Sequence, residues 1–180
     1  MNGDSWQAVI CGVGGQGVLY VNRMLALTAR AMDQDVLVSE VHGMAQRGGS
    51  VVSHLRAGNF RSPLVPAGQA DLLFSLEKGE AMRNASFLRP RGRLVVNAPN
   101  LKFLSAESHK ILSQNHIKIF HADIAPLAQA SGFPANILLL AAASKAGCLP
   151  VNDLKLRKIV QSSARDGKQA LAIWQHGAKA

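Results

Sequence analysis

Residues 6–32 carry the strongest constraint on the fold. An apolar run, WQAVICGV (Trp6 to Val13), leads through GVGGQG into Val18 to Met32, where Val18, Val21, Leu25 and Ala29 recur at helical spacing. A short apolar run that ends in glycines reads as a buried parallel strand, and the 3.6-residue repeat reads as a helix packed against it. The pattern then alternates. Val36 to Val41 and Val51 to Arg56 read as strands, as does Asp71 to Leu76, followed by a helix from Glu77 to Leu88 that starts acidic.

Pro90-Arg91-Gly92 reads as a turn into a strand at Leu94 to Val96, and Ile117 to His121 as a further strand. Asp123 is placed to cap a short helix with Pro126 in its first turn. Ala135 to Ala146 is a strongly apolar helix stopped by Gly147 and Pro150. Asn152 or Asp153 caps a last helix expected to reach Trp174. Strands alternating with helices over 180 residues predict one α/β domain with a mainly parallel sheet flanked by helices.

Two segments carry chemistry. Gly12, Gly14 and Gly17 match G-x-G-x-x-G between a strand and a helix, so with Gly15 and Gln16 they are candidate anion binders. Unpaired N–H groups and the positive dipole end at a helix start can hold a phosphate or carboxylate. Glu40 lies 23 residues beyond Gly17, where the ribose-binding acid of a dinucleotide site belongs. Glu40 also opens the second segment, EVHGMAQRGGS (Glu40 to Ser50). A loop that only joins strands is usually shorter and needs no such mixture of groups. Glu40, His42, Gln46 and Arg47 supply donors and acceptors there, and Gly43, Gly48 and Gly49 permit close approach of a ligand or partner. Arg47 suits bidentate contact with a carboxylate or phosphate, and Met44 suits an apolar pocket or partner surface. His42 is read as a contact rather than a catalyst, and no catalytic residue is assigned.

Composition excludes several classes. The formal charge of +9 concentrates in Arg83, Arg89, Arg91, Arg93, Lys102, Lys110 and Lys118 against Glu107 alone, which attracts anions or an acidic partner. Aromatics make up only 5% of the chain and no nucleic-acid motif occurs, so nucleic acid is disfavoured. No apolar run approaches the roughly 20 residues of a bilayer span. MNGDSW lacks the basic and apolar regions of a signal peptide, so a cytoplasmic location is expected. Two cysteines, Cys11 and Cys148, cannot supply the four thiolates an iron–sulfur cluster usually needs. Cys11 reads as a small core hydrophobe. No His, Cys or Asp cluster has metal-site spacing, so no metal is predicted. Glu77 and Glu80 read as surface pairing partners of Arg83, and His54 as a locally bonded residue.

GVGGQG followed by SEVHGMAQRGGSVVSHLR resembles the gamma subunits of the 2-oxoacid:ferredoxin oxidoreductases. Within that family it is nearest to the small, beta subunits of indolepyruvate oxidoreductases. The resemblance extends through DLLFSLEKGEAMR, the GRLVVN strand and Ala135-Asn136. It implies a single Rossmann-like gamma-type domain over residues 1–180 and a subunit that supports CoA-dependent oxidative decarboxylation of an arylpyruvate-like 2-oxoacid. It further implies that a large catalytic partner carries the thiamine diphosphate and iron–sulfur clusters. This chain would bind no cofactor tightly but can help enclose coenzyme A, an anionic small molecule, and would be inactive alone. Apart from that partner, a homodimer is open to it. The residues themselves leave two alternatives: a stand-alone NAD(P)- or FAD-binding oxidoreductase using Gly12, Gly14, Gly17 and Glu40, or a non-enzymatic CoA- or nucleotide-binding module.

Overall fold

A computed structural model describes residues 5–42 and 48–179, with the backbone alone for 41 and 42. Its strands are β1 (Trp6–Val13), β2 (Val36–His42), β3 (Ser50–Ala57), β4 (Ala70–Ser75), β5 (Leu88–Asn97) and β6 (Lys118–Ala122). The helices are α1 (Val18–Arg30), α2 (Lys78–Asn84), α3 (Ala106–Gln114), α4 (Ile124–Ser131), α5 (Ala135–Lys145), α6 (Asp153–Ser163) and α7 (Gly167–Gly177).

One sheet runs in the order β2-β3-β1-β4-β5-β6. β1 pairs parallel with β4, β4 with β5 and β5 with β6, while β3 pairs antiparallel with both β1 and β2. Five strands therefore point one way and β3 alone is reversed, which keeps the sheet mainly parallel. A parallel neighbour needs a crossover of a dozen or more residues, whereas the seven residues 43–49 suffice only for antiparallel return. β3 thus inserts between β1 and β2.

Two cores face opposite sides of the sheet. Ile10, Phe74 and Val95 meet α1, α5, α6 and α7 through Leu25, Leu138, Leu139, Leu156 and Trp174. Val9, Cys11, Leu73, Leu94 and Val96 pack on the other side against Ala81 of α2 and Leu112 of α3. α5 is apolar all round because it lies inside its layer, with Leu138 to Ala143 buried. Gly177 permits the close crossing of α7, since a Cβ there would sit 2.5 Å from the Leu138 carbonyl oxygen. Asn22, on the sheet side of α1, donates to Ser53 and to the His54 carbonyl, tying the helix to the reversed strand.

Several boundaries differ from expectation. The last helix is two, because Asp166 stops the run and caps α7 by accepting from the Lys168 and Gln169 N–H groups. The helix expected over Glu77 to Leu88 ends at Asn84, and a 3-10 turn at Ala85–Phe87 leads into β5. Pro90, Arg91 and Gly92 fall inside β5 at an irregularity where Arg91 takes φ 63°, rather than in a turn before it. α3 is an element beyond those the sequence pattern predicts. It is mostly polar and buries only Leu112, so it leaves no apolar run, although Ser105 caps it by accepting from the Ser108 N–H.

Candidate functional site at the carboxyl edge of the sheet

α1 follows β1 onto one face of the sheet and α2 follows β4 onto the other. The crevice between adjacent parallel strands whose helices leave in opposite directions is where open α/β sheets bind ligands. Here it lies between Gly12–Gly17 and the segment Ser75–Glu80.

The glycine turn is stiffened from within. The Gln16 N–H donates to the Val13 carbonyl at 3.1 Å, and the Val13 N–H donates to Gln16 Oε1 at 2.8 Å. Gln16 is therefore at least partly a structural residue. Gly17 caps α1 in the left-handed region, φ 88°, with no side-chain cap bond. The amide groups of the first α1 turn thus lack a capping side chain, as an anion site requires. Its backbone passes against Asn136 at the start of α5, so two helix N-termini meet this edge. Asn97 closes the far side by accepting from the Ile124 N–H at 3.1 Å. Asp123 holds the cap position of α4 but makes no side-chain cap bond.

Both ends of the 43–49 connection arrive here. The Gly14 N–H donates to the Gly49 carbonyl at 2.9 Å, and a Cβ on Gly14 would stand 3.6 Å from the Gly48 nitrogen. The two glycine-rich motifs, distant in sequence, are in backbone contact. Ser50 donates to Glu80 Oε2 at 2.6 Å, and Glu80 pairs with Arg83 through its other oxygen. Glu80 is 1% exposed. The expectation of a surface pair is corrected: Arg83 is exposed, but Glu80 is a buried carboxylate that anchors the end of the loop. Its sequence neighbours gave no sign of this, because Ser50 reaches it from another strand. Glu77 caps α2 by accepting from the Glu80 N–H at 2.9 Å.

The remaining candidates are dispersed. Glu40 is exposed on the edge strand, in register with Ser53, which is itself in register with Ile10 of β1. With β3 interposed, Glu40 lies about 10 Å sideways from β1 at the usual strand spacing. It also stands two residues below the level of Gly12. In a dinucleotide site the acid ends the strand adjacent to the glycine turn, so this arrangement disfavours a ribose role. The His42 backbone pairs with Val51. Gly43, Gln46 and Arg47, like Met44, lie outside the described residues.

The buried groups near the crevice are quiet. Burial pushes the Cys11 thiol up to about 12, partly opposed by the Ser75 hydrogen bond and reinforced by Glu80 and Glu77. His54 is buried in mid-strand, with Nδ1 accepting from the Val65 N–H at 3.2 Å and its ring edge-on to Phe87. Burial lowers its pKa. Among the described residues no group of three or more His, Cys, Asp or Glu side chains is placed to hold a metal ion. No helix among them is long and apolar enough to cross a membrane.

The sequence profile of the pyruvate ferredoxin/flavodoxin oxidoreductase family matches residues 7–180. The indolepyruvate oxidoreductase subunit IorB of Thermococcus kodakarensis is 31% identical over 173 residues, 88% of this chain and 86% of that one. IorB of Archaeoglobus fulgidus is 46% identical over 89 residues, 49% of this chain and 44% of the relative, so that match spans less than half of the relative's length. The gamma subunit of a keto/oxoacid ferredoxin oxidoreductase from Geobacter sulfurreducens superposes with a TM-score of 0.69 at 21% identity, over 97% of this chain and 96% of that one. A 2-oxoglutarate:ferredoxin oxidoreductase from Magnetococcus marinus, with 2-oxoglutarate, coenzyme A and succinyl-CoA bound, superposes with a TM-score of 0.74 at 14% identity. That match covers 98% of this chain and 31% of the larger one. At these identities the structural likeness is one of fold.

Proposed function

The chain belongs to the pyruvate ferredoxin/flavodoxin oxidoreductase family, and from that premise we propose that it is the small, gamma-type subunit of a 2-oxoacid:acceptor oxidoreductase of the indolepyruvate kind. In this reading it contributes no reacting group. A large catalytic partner carries thiamine diphosphate and the iron–sulfur clusters, and the thiamine supplies the carbanion stabilisation that lets a 2-oxoacid lose carbon dioxide. The two cysteines of this chain suit that division, since Cys11 is buried in β1 against Ser75 and Cys148 stands in the connection after α5.

What the chain supplies is one wall of the reaction space. The uncapped start of α1, with Gly14 and Gly15 exposed beside it, fits a phosphate or carboxylate oxygen of coenzyme A. A Cβ at Gly15 or Gly48 would meet nothing within 4 Å, so the backbone at both positions is open to approach. Gly48 and Gly49, held down through Ser50 and Glu80, form the fixed base of a loop whose Gln46 and Arg47 make polar contacts with the partner. His42 and Gly43 belong to the same contact. The chain orients coenzyme A and excludes water, while the partner performs the chemistry.

One observation carries this reading: the Gly14–Gly49 bond joins the family's two glycine motifs at the switch point of the sheet. The test is reconstitution. The catalytic subunit together with this chain should reduce a ferredoxin-type acceptor in a 2-oxoacid- and CoA-dependent reaction. Equal turnover by the catalytic subunit alone would refute the proposal. Micromolar binding of NAD(P) or FAD by the isolated chain would instead favour a stand-alone oxidoreductase.

A further inference from the structure

A concavity lies at the opposite, amino edge of the sheet, where β1, β4, β5 and β6 begin. It is a cleft of about 700 Å³, lined among others by Gln7, Asp71, Arg89, Arg91, Arg93 and Lys118. That volume is in the range of a small-molecule site rather than a flat protein contact.

The charges in the cleft are unbalanced. Its acid, Asp71, is already satisfied: it accepts from the Gln7 N–H at 2.8 Å and pairs with Arg89 at 2.5 Å. Among the described residues the ion pairs are Arg83–Glu80 and Arg89–Asp71, so Arg91, Arg93 and Lys118 have no carboxylate partner there. Arg93 and Lys118 are in direct register on adjacent strands. Like charges placed opposite each other on a sheet repel, and a bridging anion relieves that repulsion. Side chains in register on adjacent strands project to the same face, so both cations lie on one side of the sheet.

Backbone geometry adds a second observation. Three non-glycine residues among those described have positive φ, and two of them line this cleft: Arg91 at 63° and His116 at 53°. The turns that carry them are fastened together, the Arg91 N–H donating to the Asn115 carbonyl at 2.7 Å. Gly92 beside them is tightly enclosed, since a Cβ there would sit 2.9 Å from the Arg89 carbonyl oxygen. His116 takes its positive φ where α3 terminates, with the Ile117 N–H donating to the Leu112 carbonyl at 3.0 Å, and Arg91 takes it at the irregularity in β5. Both residues line the basic cleft.

We propose that this amino-edge cleft is a second anion site, separate from the carboxyl-edge crevice, and that it takes a small molecule bearing a pyrophosphate group. Arg91, Arg93 and Lys118 are the binding residues, with His116 also in the lining. Three cations without carboxylate partners match a multiply charged anion better than a single carboxylate, and guanidinium groups suit phosphate oxygens. The site does not depend on the role assigned to the carboxyl edge.

The test is calorimetric titration of the full chain with inorganic pyrophosphate at roughly 0.1 M ionic strength, where charges more than about 10 Å apart are largely screened. Saturable one-to-one binding is expected. R91Q and K118Q should each weaken it, and the double substitution should weaken it at least about tenfold, because each removes a charge-assisted contact. Both side chains are exposed, so an unchanged melting temperature checks that the variants fold. K102Q, at an exposed position beyond the carboxyl end of β5, should bind like the wild type. ADP titrated in parallel identifies the source: tighter binding than pyrophosphate assigns a nucleotide, and equal or weaker binding assigns the free anion. Absence of saturable pyrophosphate binding, an unaffected double variant, or binding of an acidic peptide in place of pyrophosphate would overturn the proposal.

Discussion

Replacing Gly17 by alanine separates the structural demands of the glycine turn from its functional ones. Gly17 sits at φ +88°, where a side chain is strained by about 1–2 kcal/mol. The added Cβ would also overlap the amide nitrogen of Asn136 and stand 3.0 Å from its Cγ. Asn136 is buried and its Oδ1 accepts from the Ile137 N–H at 3.0 Å, so it cannot swing away freely. Overpacking at such a site adds about 1–3 kcal/mol. The expected loss is roughly 2–5 kcal/mol, a large part of the about 5–15 kcal/mol that holds a typical domain together. Gly15→Ala bears the torsional strain alone, with open space around its Cβ, and should lose about 1 kcal/mol. Gly14→Ala meets backbone only at 3.6 Å and should stay within about 0.5 kcal/mol. Urea unfolding followed by the fluorescence of the buried Trp6 and Trp174 measures all three at constant m-value. A Gly17→Ala loss under about 0.5 kcal/mol, or a Gly14→Ala loss exceeding that of Gly17→Ala, would refute this account of the turn.

Three further outcomes follow from the same geometry. Glu80→Ala leaves the Ser50 hydroxyl and the inner end of Arg83 without their buried acceptor and should destabilise by about 1–3 kcal/mol, whereas Ser50→Ala should lose only about 1 kcal/mol in the same urea assay. The Cys11 thiol, pushed up to about 12 by burial, should stay unlabelled by a thiol reagent in the native protein at pH 8, with the half-buried Cys148 reacting first; equal rates would contradict the burial argument. His54 accepts a hydrogen bond at Nδ1 and its folded pKa lies below the ordinary 6.5, so the unfolded chain binds the extra proton. Stability from this group is full above about pH 6.5 and is lost as pH falls below it toward the folded value. Melting temperatures between pH 8 and 5 should therefore drop less steeply in His54→Gln than in the wild type.

Most strands were legible because buried parallel strands leave continuous apolar runs, as WQAVICGV and DLLFSL do. Strand order was not, since an apolar run does not name its neighbour. One clue was present: seven residues between His42 and Ser50 cannot span a parallel crossover, so the reversal of β3 follows from length alone. That reversal is what moves Glu40 away from the glycine turn. α3 is not legible as an apolar run because its stretch is mostly polar and buries only Leu112. Asp166-Gly167 marked the break between α6 and α7 with an ordinary capping pair. The glycine turn was visible as a motif, but the carboxylate that anchors its neighbouring loop was not. Glu80 and Ser50 meet only through the tertiary fold.

The central claim is that the carboxyl edge, around Gly12–Gly17 and Gly48–Ser50, is the face this chain presents to its catalytic partner. Amide hydrogen exchange of the chain alone and in the reconstituted pair tests it most directly. Slowed exchange at residues 13–20 and 48–50, with the amino-edge residues 89–93 and 116–118 unchanged, is the result this account predicts. Protection confined to the amino edge, or none at the carboxyl edge while the pair is stably associated, would contradict it.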